Sequence, residues 1–299
     1  MKPPPFAYTA PRTVDAALEA LAEPGAKVLA GGQSLIPLLN MRLAAPARLV
    51  DINGVAGLGA LEATAAGVRA GALVRHAAAG RSEGAARVQP LLRRAVRHVA
   101  HPAVRNRGTV VGSLAHADPA AELPAVLAVL GGAVEAASVR GRRTIPAGAF
   151  FAGPLEPALA PDELAVSAFF PAAPPRSGSA FAETSRRHGD YALAGVAVTV
   201  ALGADGTVRS ARAGYLGVGA TPLVLDLTSV AAEGACAAAF ARENVDPDGD
   251  VHASADYRRH LAGVLTDRAL REATAEALAE ARLDGPGARD GDGGGGGAA

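Results

Sequence analysis

Apolar residues recur at helical spacing along the first part of the chain and alternate with short strand-like runs. Residues 14–21 carry them at i, i+4 and i+7 behind Thr13, whose hydroxyl can cap a helix. The run "KVLA" at 27–30 indicates a strand, and Ser34 is placed to cap a second helix. Because "RLVDI" at 48–52 indicates another strand, the first 55 residues predict a small βαβ unit.

The middle of the chain predicts short strands around one amphipathic helix. "GALEA" and "GVRAGALV" indicate two strands. "LLRRAVRHVA" at 91–100 puts its apolar residues on one helix face and three arginines off it, and Pro102 is expected to end that helix. Residues 125–146 predict a helix, a Gly-Gly break and a hairpin that turns at Arg140-Gly141.

The last part of the chain predicts a separate unit behind a linker. The stretch 171–179, rich in proline, glycine and serine, is the best candidate for that linker. Beyond it, the pattern predicts a hairpin that turns at Asp205-Gly206, and Ser254 is placed to cap a long helix running to about Arg282. Residues 284–299 are glycine-rich and low in complexity, so a disordered tail is expected there.

Composition limits the chemistry that the chain can perform. Its 299 residues are enough for two or three small domains, and a formal net charge of zero indicates neither nucleic acid nor an anionic membrane as a bulk partner. Cys236 is the single cysteine, which excludes a disulfide framework and a cysteine-ligated metal centre within this chain. We expect it to be a buried structural thiol. Redox chemistry would therefore need a bound organic cofactor.

No targeting or membrane segment is visible in the sequence. The start "MKPPPFAY" has no apolar signal region, and no stretch is long and apolar enough to span a bilayer. We expect the protein to be cytoplasmic. As part of a complex, it could also lie at the inner face of the membrane.

The first candidate for chemistry is "AGGQSL", where a predicted strand ends on Gly31-Gly32 and a helix begins near Gln33 and Ser34. Glycines leave backbone N–H groups accessible, and a helix N-terminus adds partial positive charge, so this bend can bind phosphate or pyrophosphate. The alternative is a tight turn in an α/β protein. The chain has no G-x-G-x-x-G fingerprint and no P-loop.

The second candidate is the polar stretch 101–124, which we expect to form one glycine-bearing loop. Small residues allow close approach to its backbone, hydroxyls can donate hydrogen bonds, and the carboxylates can accept them from a ribose or sugar-alcohol chain. The alternative is a surface loop in which Asp118-Pro119 forms a turn and helix start. The polar and glycine residues of this stretch are Arg105, Asn106, Arg107, Gly108, Thr109, Gly112, Ser113, His116, Asp118 and Glu122.

The third candidate is "ETSRRHGDYALAGVAV" at 183–198. A tyrosine on a loop, here Tyr191, can stack on a flat ring, and the alternative is a half-buried packing residue. Arg186 and Arg187 precede it and are either solvated or able to stabilise an anion or contact a partner. No metal site is expected at His98 and His101, because no cysteine or carboxylate cluster accompanies them in the sequence.

These three stretches together resemble a known family. "AGGQSL", "HPAVRNRGTVVGSLAHADPAAELP" and "SRRHGDYALAGVAV" occur in the order and spacing of the FAD-binding medium subunit of the molybdenum hydroxylases, the relatives of xanthine dehydrogenase and aerobic carbon monoxide dehydrogenase. The segments 143–164 and 257–270 add lesser matches, and the resemblance spans about residues 3–283. Three motifs in the same order are far more specific than any one of them.

The resemblance implies an α+β fold. The first part would be a two-subdomain FAD-binding domain of the PCMH or vanillyl-alcohol-oxidase-like type, at 1–57 and 58–172. A small C-terminal α/β domain of the carbon monoxide dehydrogenase flavoprotein type would occupy 173–283, before the predicted tail.

The resemblance also implies a role for each motif. The first would hold the pyrophosphate of FAD through the backbone around Ala30, Gly31, Gly32, Gln33, Ser34 and Leu35, with Lys27 and Leu29 beside the adenosine. The second would line the flavin and ribityl chain with Thr109, Gly112, Ser113, His116, Asp118 and Glu122. Leu164 would touch the flavin edge through its backbone, and Tyr191 would lie over one face of the ring and gate access to it.

Two departures from the family pattern stand out. Val111 occupies a position where the family usually has glycine, and a branched side chain there restricts φ and is expected to crowd the cofactor. Pro157 stands where threonine is common. Neither change removes a charged or hydrogen-bonding contact to the cofactor.

The implied role is electron transfer. Electrons would pass singly from a partner [2Fe–2S] small subunit to FAD in this chain, and from there to a quinone, NAD⁺ or oxygen. A molybdopterin-binding large subunit would complete a dimer of heterotrimers and bind the substrate, which this chain leaves undefined. The alternatives are a stand-alone FAD-dependent oxidoreductase and a flavin-free assembly subunit.

Overall fold

A parallel three-stranded sheet forms the first unit of the computed structural model, which describes residues 2–283. The sheet order is β1-β3-β2, and one helix precedes and one follows β2, so the predicted βαβ unit is confirmed. The elements are β1 (Ala7–Thr9), α1 (Val14–Leu21), β2 (Ala26–Leu29), α2 (Leu35–Asn40) and β3 (Arg48–Asp51), followed by a 3₁₀ turn at Ile52–Gly54.

Only one of the two predicted caps in this unit has formed. The Thr13 hydroxyl accepts a hydrogen bond of 3.2 Å from the backbone N–H of Ala16, as expected for a capping residue with extended backbone. Ser34 precedes α2 but its side chain makes no capping bond. Its own backbone is already helical (φ −98°, ψ −45°), so the geometry that an N-cap side chain needs is absent at Ser34.

The second unit is a five-stranded antiparallel sheet with order β4-β5-β10-β6-β7. Helices pack against it. Its strands are β4 (Leu61–Thr64), β5 (Gly67–Gly71), β6 (Ala133–Ser138), β7 (Gly141–Pro146) and β10 (Leu164–Pro171), with a small two-stranded ribbon of β8 (Phe151–Gly153) and β9 (Glu156–Pro157). Its helices are α3 (His76–Arg81), α4 (Glu83–Val88), α5 (Pro90–Val96), α6 (Pro102–Arg105), α7 (Val110–His116), α8 (Glu122–Leu130) and α9 (Ala147–Phe150).

Three predictions in this unit are wrong in detail. The helix expected at 91–100 ends at Val96, because the chain turns at Ala100 with φ +41° and Arg105 donates hydrogen bonds to the Val99 and Ala100 carbonyls. Pro102 begins α6 instead of ending a helix, which suits a residue that lacks an N–H. The hairpin turns one residue earlier than expected, since Ser138 pairs with Gly141.

The stretch 101–124 is mostly helical, which corrects the prediction of one polar loop. It contains α6, α7 and the start of α8, separated by short turns. Buried Val110, Val111 and Leu114 recur at helical spacing, a signal that the abundance of polar and glycine residues obscured.

The third unit is a four-stranded antiparallel sheet of consecutive strands backed by a long helix. The predicted hairpin around Asp205-Gly206 is present between β12 and β13. Ser254 accepts from the Tyr257 N–H, so the predicted cap of α12 is confirmed. The elements are β11 (Ser177–Ser185), β12 (Ala192–Leu202), β13 (Val208–Leu216), β14 (Leu223–Asp226), α10 (Thr228–Glu233), α11 (Ala237–Asn244) and α12 (Ala255–Leu283).

The helices and strands do not test two of the predictions, the disordered tail and the domain boundaries. The predicted tail at 284–299 lies outside the described residues, and the domain boundaries at 57 and 172 stay predictions. Between residues 2 and 283, no helix is both long and apolar enough to cross a membrane.

Helix α8 lies between the second and third sheets and joins their cores. Its residues from Leu123 to Leu127 are buried all round, and it packs against β10 on one side and β12 and β13 on the other. A helix that is apolar on every face needs apolar partners on every face. The third unit therefore covers α8 and fixes the start of that helix, where Glu122 stands.

A charged pair also ties the third unit to the second. Arg94 on α5 donates two hydrogen bonds, of 2.7 and 2.6 Å, to the Glu276 carboxylate on α12. Glu276 also accepts from the Ser179 N–H at 2.8 Å. Both charged side chains are about 30% exposed, so water screens the pair only in part.

We expect Arg94→Ala to lower the free energy of unfolding by about 1–3 kcal/mol, because it leaves a half-buried carboxylate without its cation. Arg93→Ala is the matched control, since Arg93 makes a similar pair with the well-exposed Glu83 and should cost less than about 1 kcal/mol. Urea unfolding of both variants measures the difference. Equal losses would contradict the importance of the pair between units.

Candidate cofactor site

Two glycine-bearing bends meet backbone to backbone. One follows β2 at Gly31-Gly32, and the other precedes α7 at Arg107-Gly108. A Cβ at position 31 would lie 2.5 Å from the Arg107 carbonyl oxygen and 2.7 Å from the Gly108 Cα, so this approach requires glycine. Gly32 has φ +73°, a conformation that also favours glycine.

The N–H groups of the first bend have no hydrogen-bond acceptor among residues 2–283. Among the hydrogen bonds between residues 2 and 283, none is donated by the backbone N–H of residues 31–34. A run of N–H groups left unpaired at a glycine bend is a concave donor surface of the kind that binds anionic oxygens.

A polar network holds the two bends together. The Asn53 amide donates to the Ala30 carbonyl at 2.8 Å and accepts from the Arg75 guanidinium at 2.6 Å. Arg75 donates from its other terminal nitrogen to the Arg107 carbonyl at 2.5 Å. One arginine and one asparagine therefore connect the residue before the first bend with the first residue of the second.

Asp51 anchors this network at the end of β3. Its carboxylate accepts from the Tyr8 hydroxyl at 2.6 Å and from the Asn53 amide groups. Burial alone would raise the pKa of Asp51, but these hydrogen bonds and the charge of Arg107 outweigh burial and hold the pKa below its ordinary value. The carboxylate is thus charged at neutral pH.

The bends line a cleft of about 360 Å³. Its walls combine the donor surface, two apolar residues of α2 and the charged and amide groups of the network. The lining residues are Leu29, Gly31, Gly32, Gln33, Ile36, Pro37, Asp51, Asn53 and Arg107.

Helix α7 presents a second candidate surface. Thr109 caps this helix through a 3.0 Å bond from the Gly112 N–H, and Gly112, Ser113 and His116 follow at i+3, i+4 and i+7 on the same half-exposed face. Val111 points to the other side and is 2% exposed in the main core. The expectation that Val111 crowds this face is therefore wrong, since helical backbone turns its side chain inward.

A cluster of titratable groups surrounds the end of α7. His116 Nε2 lies 4.0 Å from Asp118 Oδ2. Burial lowers the pKa of His116, and the Asp118 charge opposes that shift. Burial, with smaller contributions from the nearby carboxylates of Glu183 and Asp118, raises the pKa of Glu122 to about 7. Glu122 can therefore hold or release a proton near neutral pH.

Tyr191 stands beside this cluster and is 67% exposed. Partial burial of its hydroxyl, and then the charges of Asp118 and Glu122, raise the pKa of Tyr191 above its ordinary value. The alternative of a half-buried packing residue does not fit this exposure, and an exposed ring beside the cluster is available for stacking.

His98 and Glu183 adjoin the cluster, with the Glu183 side chain buried and the His98 side chain partly exposed. His98 Nδ1 lies 3.4 Å from Glu183 Oε1, and the His98 ring packs 5.0 Å from the Phe181 ring. Within residues 2–283, no group of three histidine, cysteine or acidic side chains is arranged to hold a metal ion.

Comparison with known proteins decides the family. Residues 4–173 match the model of the FAD-binding domain in molybdopterin dehydrogenase, and residues 179–273 match the C-terminal domain of carbon monoxide dehydrogenase flavoprotein. The chain belongs to the FAD-binding medium subunits of the molybdenum hydroxylases. The first matched segment ends and the second begins within the stretch 171–179 predicted as a linker.

Individual relatives are similar over nearly their whole length. The alpha subunit of the 6-hydroxypseudooxynicotine dehydrogenase complex of Paenarthrobacter nicotinovorans is 43% identical, over 91% of this chain and 96% of that protein. The carbon monoxide dehydrogenase medium chain of Hydrogenophaga pseudoflava is 36% identical, over 92% and 99%. Quinoline 2-oxidoreductase from Pseudomonas putida 86 has a solved structure with a TM-score of 0.84 at 36% identity, over 93% of this chain and 100% of that one.

The family cofactor is FAD, and the chain's own residues fit a dinucleotide. The cleft offers unpaired N–H groups where a diphosphate needs donors, a guanidinium at its edge, and a bend that only glycine can form. The half-exposed face of α7 adds the Ser113 hydroxyl and the His116 imidazole.

The structure brings most of the predicted site residues into two groups. Leu29, Gly31, Gly32 and Gln33 line the cleft, with Ala30, Ser34 and Leu35 beside it in sequence. His116, Asp118, Glu122 and Tyr191 influence one another's charge at the second surface, and Lys27 acts on His116 there. Thr109, Gly112 and Ser113 lie between the two groups. The side chain of Leu164 is buried in the core of the first unit, so a cofactor contact of this residue would be through its backbone, as expected.

Sequence reasoning missed Asp51, Asn53 and Arg75. A signal for two of them was present, because Asp51 ends β3 and Asn53 comes shortly after it, as Gly31-Gly32 come shortly after the parallel strand β2. Carboxyl ends of parallel strands meet at one edge of the sheet. Arg75 lay in no recognisable motif.

Cys236 is exposed, so the prediction of a buried structural thiol is wrong. It occupies the N-cap position of α11, where its side chain makes no capping hydrogen bond. Arg187 is exposed, while Arg186 lies 2.9 Å from His252 Nδ1.

His76 is the least compensated polar group near the bends. It is 5% exposed, packs against Gly108, and neither ring nitrogen has a hydrogen-bond partner of normal geometry within the described chain. Burial lowers the pKa of His76 from 6.5 to about 4, which the backbone of Thr109 opposes. The folded chain therefore keeps the ring neutral.

Acid should destabilise the fold through His76, because the unfolded chain takes up a proton near pH 6.5 that the folded chain refuses until about pH 4. We expect about 3 kcal/mol of stability to be lost across this interval as the pH falls. The difference between the unfolding free energies of wild type and His76→Gln, measured from pH 8 to pH 4, isolates this effect. The exposed His260 supplies the control His260→Gln, and a difference that is flat with pH for both variants would contradict the assignment.

Proposed function

We propose that this chain is the electron-transfer subunit of a molybdenum hydroxylase, arranged with a molybdopterin-binding large subunit and a [2Fe–2S] small subunit as a dimer of heterotrimers. Electrons enter from the iron–sulfur subunit and leave to an external acceptor. The observation that carries the proposal is the backbone contact between the two glycine bends, the first of which has unpaired N–H groups. The chain's membership of this family supports it. FAD, when bound, supplies the exchange between one- and two-electron steps.

The cleft residues bind and orient the dinucleotide. Backbone N–H groups at Gly31, Gly32 and Gln33 donate to the diphosphate, and the Arg107 guanidinium complements its charge. Leu29, which lines the cleft, flanks the adenosine side. Lys27, expected beside it, acts instead on His116 at the second surface. Asn53 and Arg75 keep the donors aimed by holding both bends in register.

The second surface controls the flavin end. Thr109, Ser113 and His116 offer hydrogen-bonding groups to the ribityl chain and ring, and Asp118 accepts from its hydroxyls. Glu122 can hold or release a proton at its carboxyl near neutral pH and would exchange it with a flavin bound at this surface. Tyr191 would cover one face of that ring and limit contact with water and acceptors.

The similar relatives favour a nitrogen heterocycle as the substrate of the complex. Those at 41–43% identity carry the names nicotine 6-hydroxylase and 6-hydroxypseudooxynicotine dehydrogenase, and a solved relative is quinoline 2-oxidoreductase. The substrate would bind to another chain, so no residue of this chain is assigned to it.

The experiment that tests the role is purification with co-expressed partners followed by an absorption spectrum and cofactor extraction. We expect flavin bands and one FAD per medium chain. A colourless complex would support the flavin-free assembly role, and a yellow chain that is active without partners would support a stand-alone oxidoreductase; either result contradicts the proposal.

Gly31→Ala should weaken FAD binding by at least about tenfold, because the added Cβ separates the two bends that form the cleft. Gly59→Ala is the matched control, since a Cβ at position 59 meets no atom within 4 Å. Titration of the FAD-depleted complexes by calorimetry gives the affinities. Equal affinity in the Gly31→Ala and control proteins would argue against a cofactor at this cleft.

A further inference from the structure

A buried arginine of the C-terminal helix holds the segment 186–193, which carries Tyr191, through a hydrogen bond. We call this contact the grip on the Tyr191 segment. Arg258, in the first turn of α12, is 8% exposed. Its guanidinium donates to the carbonyls of Leu193 and Gly217 and, at 2.7 Å, to the Asp250 carboxylate. Burying a guanidinium costs free energy unless its donors are satisfied, so these three acceptors must keep their positions.

Two of those acceptors belong to segments that adjoin the second candidate surface. Leu193 is two residues after Tyr191, at the start of β12. Gly217 follows β13, and its N–H donates at 2.9 Å to the carbonyl of Pro119, the neighbour of Asp118. Gly217 has φ +72°, and a Cβ there would lie 2.9 Å from the Leu193 carbonyl oxygen, so these segments are in close contact. One guanidinium thus connects the base of the Tyr191 segment with the Asp118 turn.

The carboxylate partner is itself held in a tight turn. Asp250 Oδ1 accepts from the His252 and Ala253 N–H groups at 2.8 and 3.0 Å, which leaves Oδ2 for Arg258. These backbone bonds, with a smaller contribution from Arg258, lower the pKa of Asp250 to about 2. His252 of the same turn lies 2.9 Å from Arg186, on the other side of Tyr191. The turn therefore contacts the Tyr191 segment directly at Arg186, and at Leu193 through Arg258.

We infer that Arg258, held by Asp250, is a positioning residue that sets the place of Tyr191 over the cofactor. The inference rests on the proposed function for the cofactor, but the grip on the segment itself does not. Losing it should leave the diphosphate cleft intact, because no residue of the Arg258 network lines that cleft. The expected effect is a loosened ring cover with unchanged FAD content.

Two readouts on the assembled complex test the inference. Amide hydrogen exchange of residues 186–193 reports the order of the segment, with or without FAD. The rate at which sulfite, a small nucleophile, bleaches the visible flavin band reports access to the ring. We expect Arg258→Met to raise both by about tenfold or more while FAD per chain stays at the wild-type value. Tyr191→Ser should raise the sulfite rate to a similar extent, and adding Arg258→Met to it should give little further increase.

Controls separate this role from general stability and from failure of the cofactor assignment. Arg259→Met removes the neighbouring arginine, whose partners are the exposed Asp246 and Asp256, and should leave both readouts unchanged. If Arg258→Met does not fold, Asp250→Asn decides, since it keeps an acceptor for the turn and removes the charge that Arg258 needs. Wild-type exchange and sulfite rates in folded Arg258→Met or Asp250→Asn would overturn the inference and leave FAD binding standing. Absence of FAD from the wild-type complex would overturn the proposed function. Hydrogen exchange of residues 186–193 would then still test whether Arg258 holds the Tyr191 segment.

Discussion

The contact between the Gly31-Gly32 bend and the Arg107-Gly108 bend is the constraint on which the proposed cofactor site depends. The bends come from different units, one after a parallel strand and one before a helix, and their backbones approach within a distance that any side chain would prevent. Asn53 and Arg75 hold that approach through hydrogen bonds to the Ala30 and Arg107 carbonyls. The donor surface exists only because the two units are locked in this way.

Charge is distributed along the site in a manner that suits a dinucleotide. The cleft has the Arg107 guanidinium at its edge. It also contains the Asp51 carboxylate, which accepts hydrogen bonds from within the chain. At the other end, several carboxylates lie close together. Burial, helped by these neighbouring charges, raises the pKa of Glu122 to about 7, so this carboxyl is about half protonated at neutral pH. One end therefore favours an anion, while the other can exchange protons.

The third unit does more than extend the chain. It covers α8, whose apolar faces would otherwise be exposed, and it fixes α12 against the second unit through Arg94 and Glu276. The same helix carries Arg258 to the base of the Tyr191 segment. Since the packing that stabilises the fold also brings the ring beside the Glu122 cluster, stability and function share the same helices in this part of the molecule.

Local pattern alone determined a large part of this protein. The βαβ unit, the Thr13 and Ser254 caps and the hairpin at Asp205-Gly206 follow from residues close in sequence, where periodicity and capping chemistry act without outside help. The order of three motifs was enough to indicate the family. Tertiary structure decided the rest: the helix at Val110–His116 inside an apparently polar loop, the inward turn of Val111, the exposure of Cys236, and the part played by Arg75 and Arg258. Each of these depends on groups far apart in the chain, whose burial and hydrogen bonds arise only once the three units pack together.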